Sequence, residues 1–358
     1  MAVPAAPCLQ AAEVLSARSS PGLWDPFTQA VELVPPEPRP PDPPQPSPSG
    51  SHLAFTNPLT VGWNAFDLYW WSLLVLTTGV DDASYAQRCL FARGPYTRFN
   101  LVVQPPDSLI LQMGWARQSD RFVVWIGGTA NEQQALQYVL THALGAQVNR
   151  PIGWVNATFA AQAVALAALV RADWVAEGRP PLLIAGHSYG AAVAPVLLFE
   201  LLDRAPTLYD RVVTLASPKV ATRSVKDSLA VVQYLRFANR GDPITIQPPP
   251  AAIVQGFFPP VSIGNYPGGD YVEANAILEL SPVSLINTVI GYTFPSSVYY
   301  YLLAQLVSGA LDFTPHFARR YVDTIRPNVG LKGLPDVAGW VDFASLQELD
   351  DDLRSIGL

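Results

Sequence analysis

Cysteine, histidine and charge are all scarce in this chain, and each scarcity closes off a class of function. Two cysteines, Cys8 and Cys89, cannot build a disulfide framework. No metal-ligand spacing exists either, and the chemistry read below needs neither a metal nor an organic cofactor. Cys89 reads as a small buried hydrophobe. Charged residues are only 14% of the sequence, with 22 Lys and Arg against 29 Asp and Glu. A net charge of −7 with no basic cluster argues against a nucleic-acid partner. Met1 to Gln10 carry neither a positive n-region nor an apolar h-region, so no conventional secretory signal is visible, and secreted and cytoplasmic locations both stay open.

What is abundant is apolar. Hydrophobic residues make up 49% of the 358, enough for a large core. With so few charges to cover it, such a chain is expected to expose apolar surface that meets a greasy partner. Proline is concentrated between residues 35 and 48, at a density that forbids helix and sheet and favours extended polyproline II. Residues 1–51 are therefore read as a tail and semi-rigid linker, and residues 52–358 as one folded domain.

Within that domain the apolar pattern alternates between strand-like and helix-like runs. Trp63 to Thr77 is aromatic-rich and helical, with Asp67 as its only charge. Ser108 to Trp115 and Arg121 to Ile126 read as strands, followed by Gly127-Gly128-Thr129 and a helix-like stretch from Asn131 to Leu144. Ala157 to Val175 reads as a long helix closed by Gly178-Arg179-Pro180-Pro181. Val212 to Leu215 and Val231 to Ala238 are further strands. Strands and helices alternating at this spacing imply a mainly parallel central sheet with helices on both faces. From Leu280 to Leu311 there is no charge, but Pro282, Pro295 and several polar residues favour two buried or interfacial segments over a membrane span. Ser296 or Ser297 is positioned to cap a helix running to about Leu311. Asn156-Ala157-Thr158 fits a glycosylation sequon at a helix start.

The chemistry centres on Gly186-His187-Ser188-Tyr189-Gly190, a GxSxG sequence between the strand-like Leu182 to Ala185 and the helix-like Ala191 to Leu202. A serine at a sharp strand-to-helix turn is thrust out of the sheet, and glycines allow the turn and the close passage of the helix. The serine hydroxyl needs a base, and an imidazole titrates in the right range. In α/β-hydrolases the order is Ser, acid, His. Of His52, His142, His187 and His316, only His316 follows Ser188, and the His187 side chain is expected to point away from the turn's exposed tip. Among the acids, Asp242 lies just past the carboxyl end of a strand, where groups of a parallel sheet gather, and is followed by the rigid Pro243. Asp270 is the second candidate, whereas Asp203 and Asp210 fall toward the opposite edge. The tetrahedral intermediate needs oxyanion donors, expected from the N–H of Tyr189 and from Thr129 after the glycine pair.

Together these segments resemble the fungal-type (class 3) lipase family of α/β-hydrolases. Phe122 to Thr129 is similar to that family's strand ending in Phe-Arg-Gly-Thr or Phe-Arg-Gly-Ser, and Thr214 to Val220 to its Thr-Phe-Gly-Ser-Pro-Arg-Val. Arg236 to Pro243 resembles the strand that ends at the catalytic aspartate, and His316 followed by Tyr321 the family's last catalytic segment. The resemblance covers roughly Trp63 to Ile325 and implies Ser188 as nucleophile, Asp242 as acid, His316 as base, and Thr129 and Tyr189 as oxyanion donors. It also implies a lid at residues 131–150, with a permanently packed helix there as the alternative. Three positions depart from the family: Gly127 stands where it usually has arginine, Ala191 where a second glycine is common, and Tyr189 where leucine is common, a bulkier side chain expected near the acyl site.

The expected function is a lipase or carboxylesterase acting on a lipid or other acyl ester, with transient contact at a lipid interface. A phospholipase, a feruloyl or polyester esterase, an acyltransferase and a non-catalytic binding protein on the same scaffold are the alternatives.

Overall fold

In the computed structural model the described residues are 32–33, 65–77, 96–103, 113–118, 121–128, 145–248, 266–272, 274, 276–290, 296–308 and 310–330. Their centre is a nine-stranded sheet. Its strands are β1 (Glu32–Leu33), β2 (Tyr96–Val103), β3 (Met113–Gln118), β4 (Arg121–Ile126), β7 (Leu182–His187), β8 (Arg211–Leu215), β9 (Gln233–Asn239), β10 (Ile277–Ser281) and β11 (Leu285–Ile290), in that spatial order. β4, β7, β8, β9 and β10 run parallel, and the flanking strands pair antiparallel. A separate hairpin joins β5 (Gln147–Arg150) to β6 (Gly153–Asn156). Glu32 and Leu33, ahead of the proline tract, pair with Val103 and Val102 at one edge of the sheet.

The central strands are apolar at consecutive positions because both faces are covered. Phe122, Val124 and Ile126 of β4, Leu182 and Ile184 of β7, Val212 of β8 and Tyr234 of β9 belong to one core. That core is closed by α2 (Ala157–Ala176), α3 (Ser188–Leu201) and α4 (Arg223–Leu229). The alternate residues, Val123 and Trp125, Leu183 and Ala185, Val213 and Leu215, Leu235 and Phe237, pack on the other face against α1 (Ala65–Thr77) and α6 (Ala318–Ile325). The period of two along each strand thus assigns every central side chain to one layer or the other.

The expected elements are present with shifted ends. The first strand of the β3–β4 hairpin is described over Met113–Gln118, so it runs past the expected end at Trp115; residues 108–112 lie outside the described residues. α2 is the one helix among the described residues long and apolar enough to cross a membrane, and it lays Phe159, Ala163, Leu166, Val170 and Trp174 onto the sheet. Asn156 caps it: the side-chain oxygen accepts from the Thr158 N–H at 2.9 Å, and Asn156 is buried. The sequon is therefore a helix cap with no exposed amide for a glycan. The uncharged 280–311 region is the β10–β11 hairpin followed by α5 (Ser296–Val307), shorter than the expected run to Leu311.

Candidate active site

Ser188 sits where β7 gives way to α3, and its φ is +53°, a left-handed conformation that a side-chain-bearing residue adopts at a cost of about 1–3 kcal/mol. The surroundings show why glycine flanks it. A Cβ on Gly186 would lie 2.5 Å from the Gly190 carbonyl oxygen, and one on Gly190 would lie 2.3 Å from that of Gly127. A Cβ on Gly128 would lie 3.1 Å from the Ser188 Cβ and 2.5 Å from the His187 Nδ1. The loop leaving β4 is therefore packed directly against the turn that carries the serine.

The three residues singled out for proton handling are brought together. The Ser188 hydroxyl donates to His316 Nε2 at 2.7 Å, and His316 Nδ1–H donates to both Asp242 carboxylate oxygens, at 3.0 and 3.1 Å. An ionised carboxylate only accepts, which places the ring proton on Nδ1 and leaves Nε2 free to accept from the serine. All three side chains are buried. Asp242 terminates the turn after β9 and opens a 3₁₀ turn at Pro243–Ile246, where its Oδ1 also accepts from the Ile244 N–H at 2.9 Å. Its Oδ2 accepts from the Tyr321 hydroxyl at 2.6 Å. That hydroxyl in turn accepts from the Asn239 N–H at 3.1 Å. Burial pushes the Asp242 pKa up, but the charge and hydrogen bond of His316, then Tyr321 and Ile244, outweigh it and hold the carboxyl below its ordinary value.

His316 lies in a 3₁₀ turn, Thr314–His316, between α5 and α6. Its backbone is fixed from two sides. The N–H donates to the Phe313 carbonyl at 2.8 Å, and the carbonyl accepts from His187 Nε2 at 2.8 Å. The His187 ring is buried, 5.2 Å from that of His316 and 5.6 Å from that of Tyr321. The side chain, expected to point away from the turn's exposed tip, lies with Leu183 and Ala185 on the α6 face of the strand, where the His316 segment arrives. Strand alternation was the available signal for that face.

The other candidates fall elsewhere. Asp270 is exposed on a turn beside Tyr266. Asp210 is buried at the opposite edge, accepting from Arg204 at 2.7 Å and from the Leu182 N–H at 3.1 Å. Asp203 pairs with Arg179 at the surface. Tyr189 belongs to the first turn of α3, whose N–H groups have no intrahelical acceptor. Its ring is buried and packs edge-on against Phe159 of α2, 5.2 Å away. Thr129, His52, His142, both cysteines and residues 131–144 lie outside the described residues. The end of the expected lid, 147–150, is strand β5, with Arg150 paired through two nitrogens to Glu200 at 2.8 and 2.7 Å. Among the described residues no group of His, Cys, Asp and Glu could hold a metal ion.

Residues 123–251, from β4 through the Asp242 turn, match the family model of lipase (class 3). Solved structures that the chain resembles include lipases by name. The Rhizomucor miehei lipase propeptide complex is 12% identical, with 70% of this chain and 78% of that one covered and a TM-score of 0.48. A triacylglycerol lipase described as having a serine protease triad in its catalytic centre is 14% identical, with 70% and 92% covered and a TM-score of 0.47. A mutant form of MDLA from Penicillium cyclopium is 15% identical, with 69% and 95% covered and a TM-score of 0.45. No curated protein matches the sequence. Gly127, where the family usually has arginine, is buried with its carbonyl against the Cα of Gly190. A backbone contact, with no side chain, joins the two turns there.

Proposed function

We propose that the protein is a serine hydrolase of carboxylic esters, with a lipid acyl ester as the substrate class. The observation that carries this is the continuous buried relay from Ser188 through His316 to Asp242, with contacts of 2.7 and 3.0 Å. Ser188 Oγ bonds to the acyl carbon as its proton passes to His316 Nε2. The ester C–O bond then breaks as Nε2 returns that proton to the departing alcohol oxygen. Water repeats the sequence, freeing the acid and restoring the serine. Asp242 stays ionised throughout, orienting the imidazole and stabilising its charged form. The Tyr189 N–H, with Thr129 from the loop after β4, supplies the oxyanion donors. The match of residues 123–251 to a lipase family supports the lipid substrate, as does the low charge of the chain.

A fluorophosphonate probe and a panel of nitrophenyl esters, triglycerides and phospholipids test the reading. The wild type should be labelled and hydrolyse esters, and Ser188→Ala should lose labelling and roughly 10⁶-fold in kcat. A folded wild-type protein that neither labels nor turns over any ester would refute it, and the preferred member of the panel defines acyl and head-group class.

A further inference from the structure

We propose that His187 is a positioning residue that locks the base and the oxyanion-side loop into one register, a role that rests on the ester-hydrolase reading. The two parts arrive from distant segments: His316 from the turn between α5 and α6, Gly128 from the end of β4. His187 touches both. Its Nε2–H donates to the His316 carbonyl at 2.8 Å, while a Cβ on Gly128 would fall 2.5 Å from its Nδ1. A ring edge also meets Tyr321, which holds Asp242. One imidazole at the end of the central strand therefore contacts the neighbours of every reacting group without lying on the proton path itself.

The contact needs a neutral, Nε2-protonated ring, because Nε2 is the donor. The groups facing it are His316, Tyr321 and the Asp242 carboxylate beyond them. Burial and then the neighbouring His316 lower its pKa to about 3. His187 therefore remains an uncharged donor over the range in which a serine hydrolase works. An imidazolium at His316 consequently meets no second cation as it forms.

The test compares three variants by kinetics and by the far-downfield proton resonance of His316 Nδ1–H. His187→Gln keeps an amide N–H at nearly the same reach, His187→Phe keeps the ring without the donor, and His187→Asn keeps polarity without the reach. The Phe and Asn variants should each lose about tenfold in kcat, the effect of one net hydrogen bond on the reacting geometry, with KM within about twofold. The Gln variant should stay within about threefold of wild type. The downfield resonance should broaden or vanish in Phe and Asn and persist in Gln. Equal activity of all three with wild type, or equal losses in all three, would overturn the proposal, and should Phe fail to fold, the Asn–Gln comparison decides. A wild-type protein without ester activity would overturn the functional reading alone, since the resonance reports on the geometry independently of turnover.

Discussion

Replacing Tyr321 by phenylalanine removes one oxygen from a fully buried ring, and the structure says what that oxygen does. It donates to Asp242 at 2.6 Å and accepts from the Asn239 N–H at 3.1 Å. A hydrogen bond to a charged group contributes about 1.5–3 kcal/mol, and stranding a buried N–H costs about 1–3 kcal/mol, so a loss near 3 kcal/mol is expected at neutral pH. The sign with pH follows from Asp242, whose folded pKa lies below the ordinary 3.8. The stability it contributes is present above the unfolded value and is lost as pH falls through the folded one. Tyr321→Phe weakens one of the causes of that depression, so its penalty should be full at pH 7 and shrink below about pH 4. In activity the carboxylate keeps His316 and Ile244, so kcat should drop about tenfold, far less than the roughly 10⁴-fold expected of Asp242→Asn. Denaturant unfolding of the single variants Tyr321→Phe and Asp242→Asn, and of the double variant, closes a thermodynamic cycle. A coupling of at least about 1 kcal/mol is expected. Additive losses, or a Tyr321→Phe protein as stable and active as wild type, would show that the hydroxyl does not hold the carboxylate.

His187 adds a second acid sensitivity. Its folded pKa of about 3 lies below the ordinary 6.5, so between those values the unfolded chain binds a proton that the folded protein refuses. Stability should therefore fall by about 1.4 kcal/mol for each unit of pH lowered within that window, and urea titrations of His187→Asn should show a shallower slope. Gly190→Ala should abolish labelling of Ser188 and lower the melting temperature, because its Cβ would meet a backbone oxygen 2.3 Å away, and normal labelling would show that the β4 loop is free to retreat. At Ser188, glycine and alanine both remove the nucleophile, but only glycine relieves φ of +53°. Ser188→Gly should be about 1 kcal/mol more stable than Ser188→Ala, the reverse of the usual order, and an alanine variant of equal or greater stability would deny the strain.

The site was legible where local pattern and chain order carry the information. GxSxG between a strand and a helix marks the proposed nucleophile, a single downstream histidine leaves one candidate base, and the carboxyl end of β9 favours Asp242 over Asp210. The alternation of strands with helices pointed to a mainly parallel sheet covered on both faces. The misplaced features depend on pairing. The β3 boundary moves to Gln118 because Arg117 and Gln118 pair with Phe122 and Arg121 of β4, and a register is not written in hydrophobicity. The uncharged stretch after Leu280 resolves into a hairpin and a helix because β10 finds β9 some forty residues earlier in the sequence. What His187 meets was not legible either, because only the arrival of the His316 segment gives its face of the strand a partner.

The electrostatics of the relay follow from where its supports originate. Burial by itself favours a neutral carboxyl at Asp242. The opposing donors come from three places: a turn that directly follows β9, a hydroxyl on α6, and the imidazole itself. Each is weak alone, but in a site shielded from water they act at full strength and need no reorganisation when charge develops on His316. Two of them, Tyr321 and His316, ride on the segment that packs against the α1 face of the sheet, while Ser188 begins a helix packed on the other face. The reacting groups thus belong to opposite layers and meet only at the carboxyl edge of the strands. Substitutions in the core beneath α6 should therefore disturb Asp242 and His316 together, whereas those beneath α3 act through the serine turn.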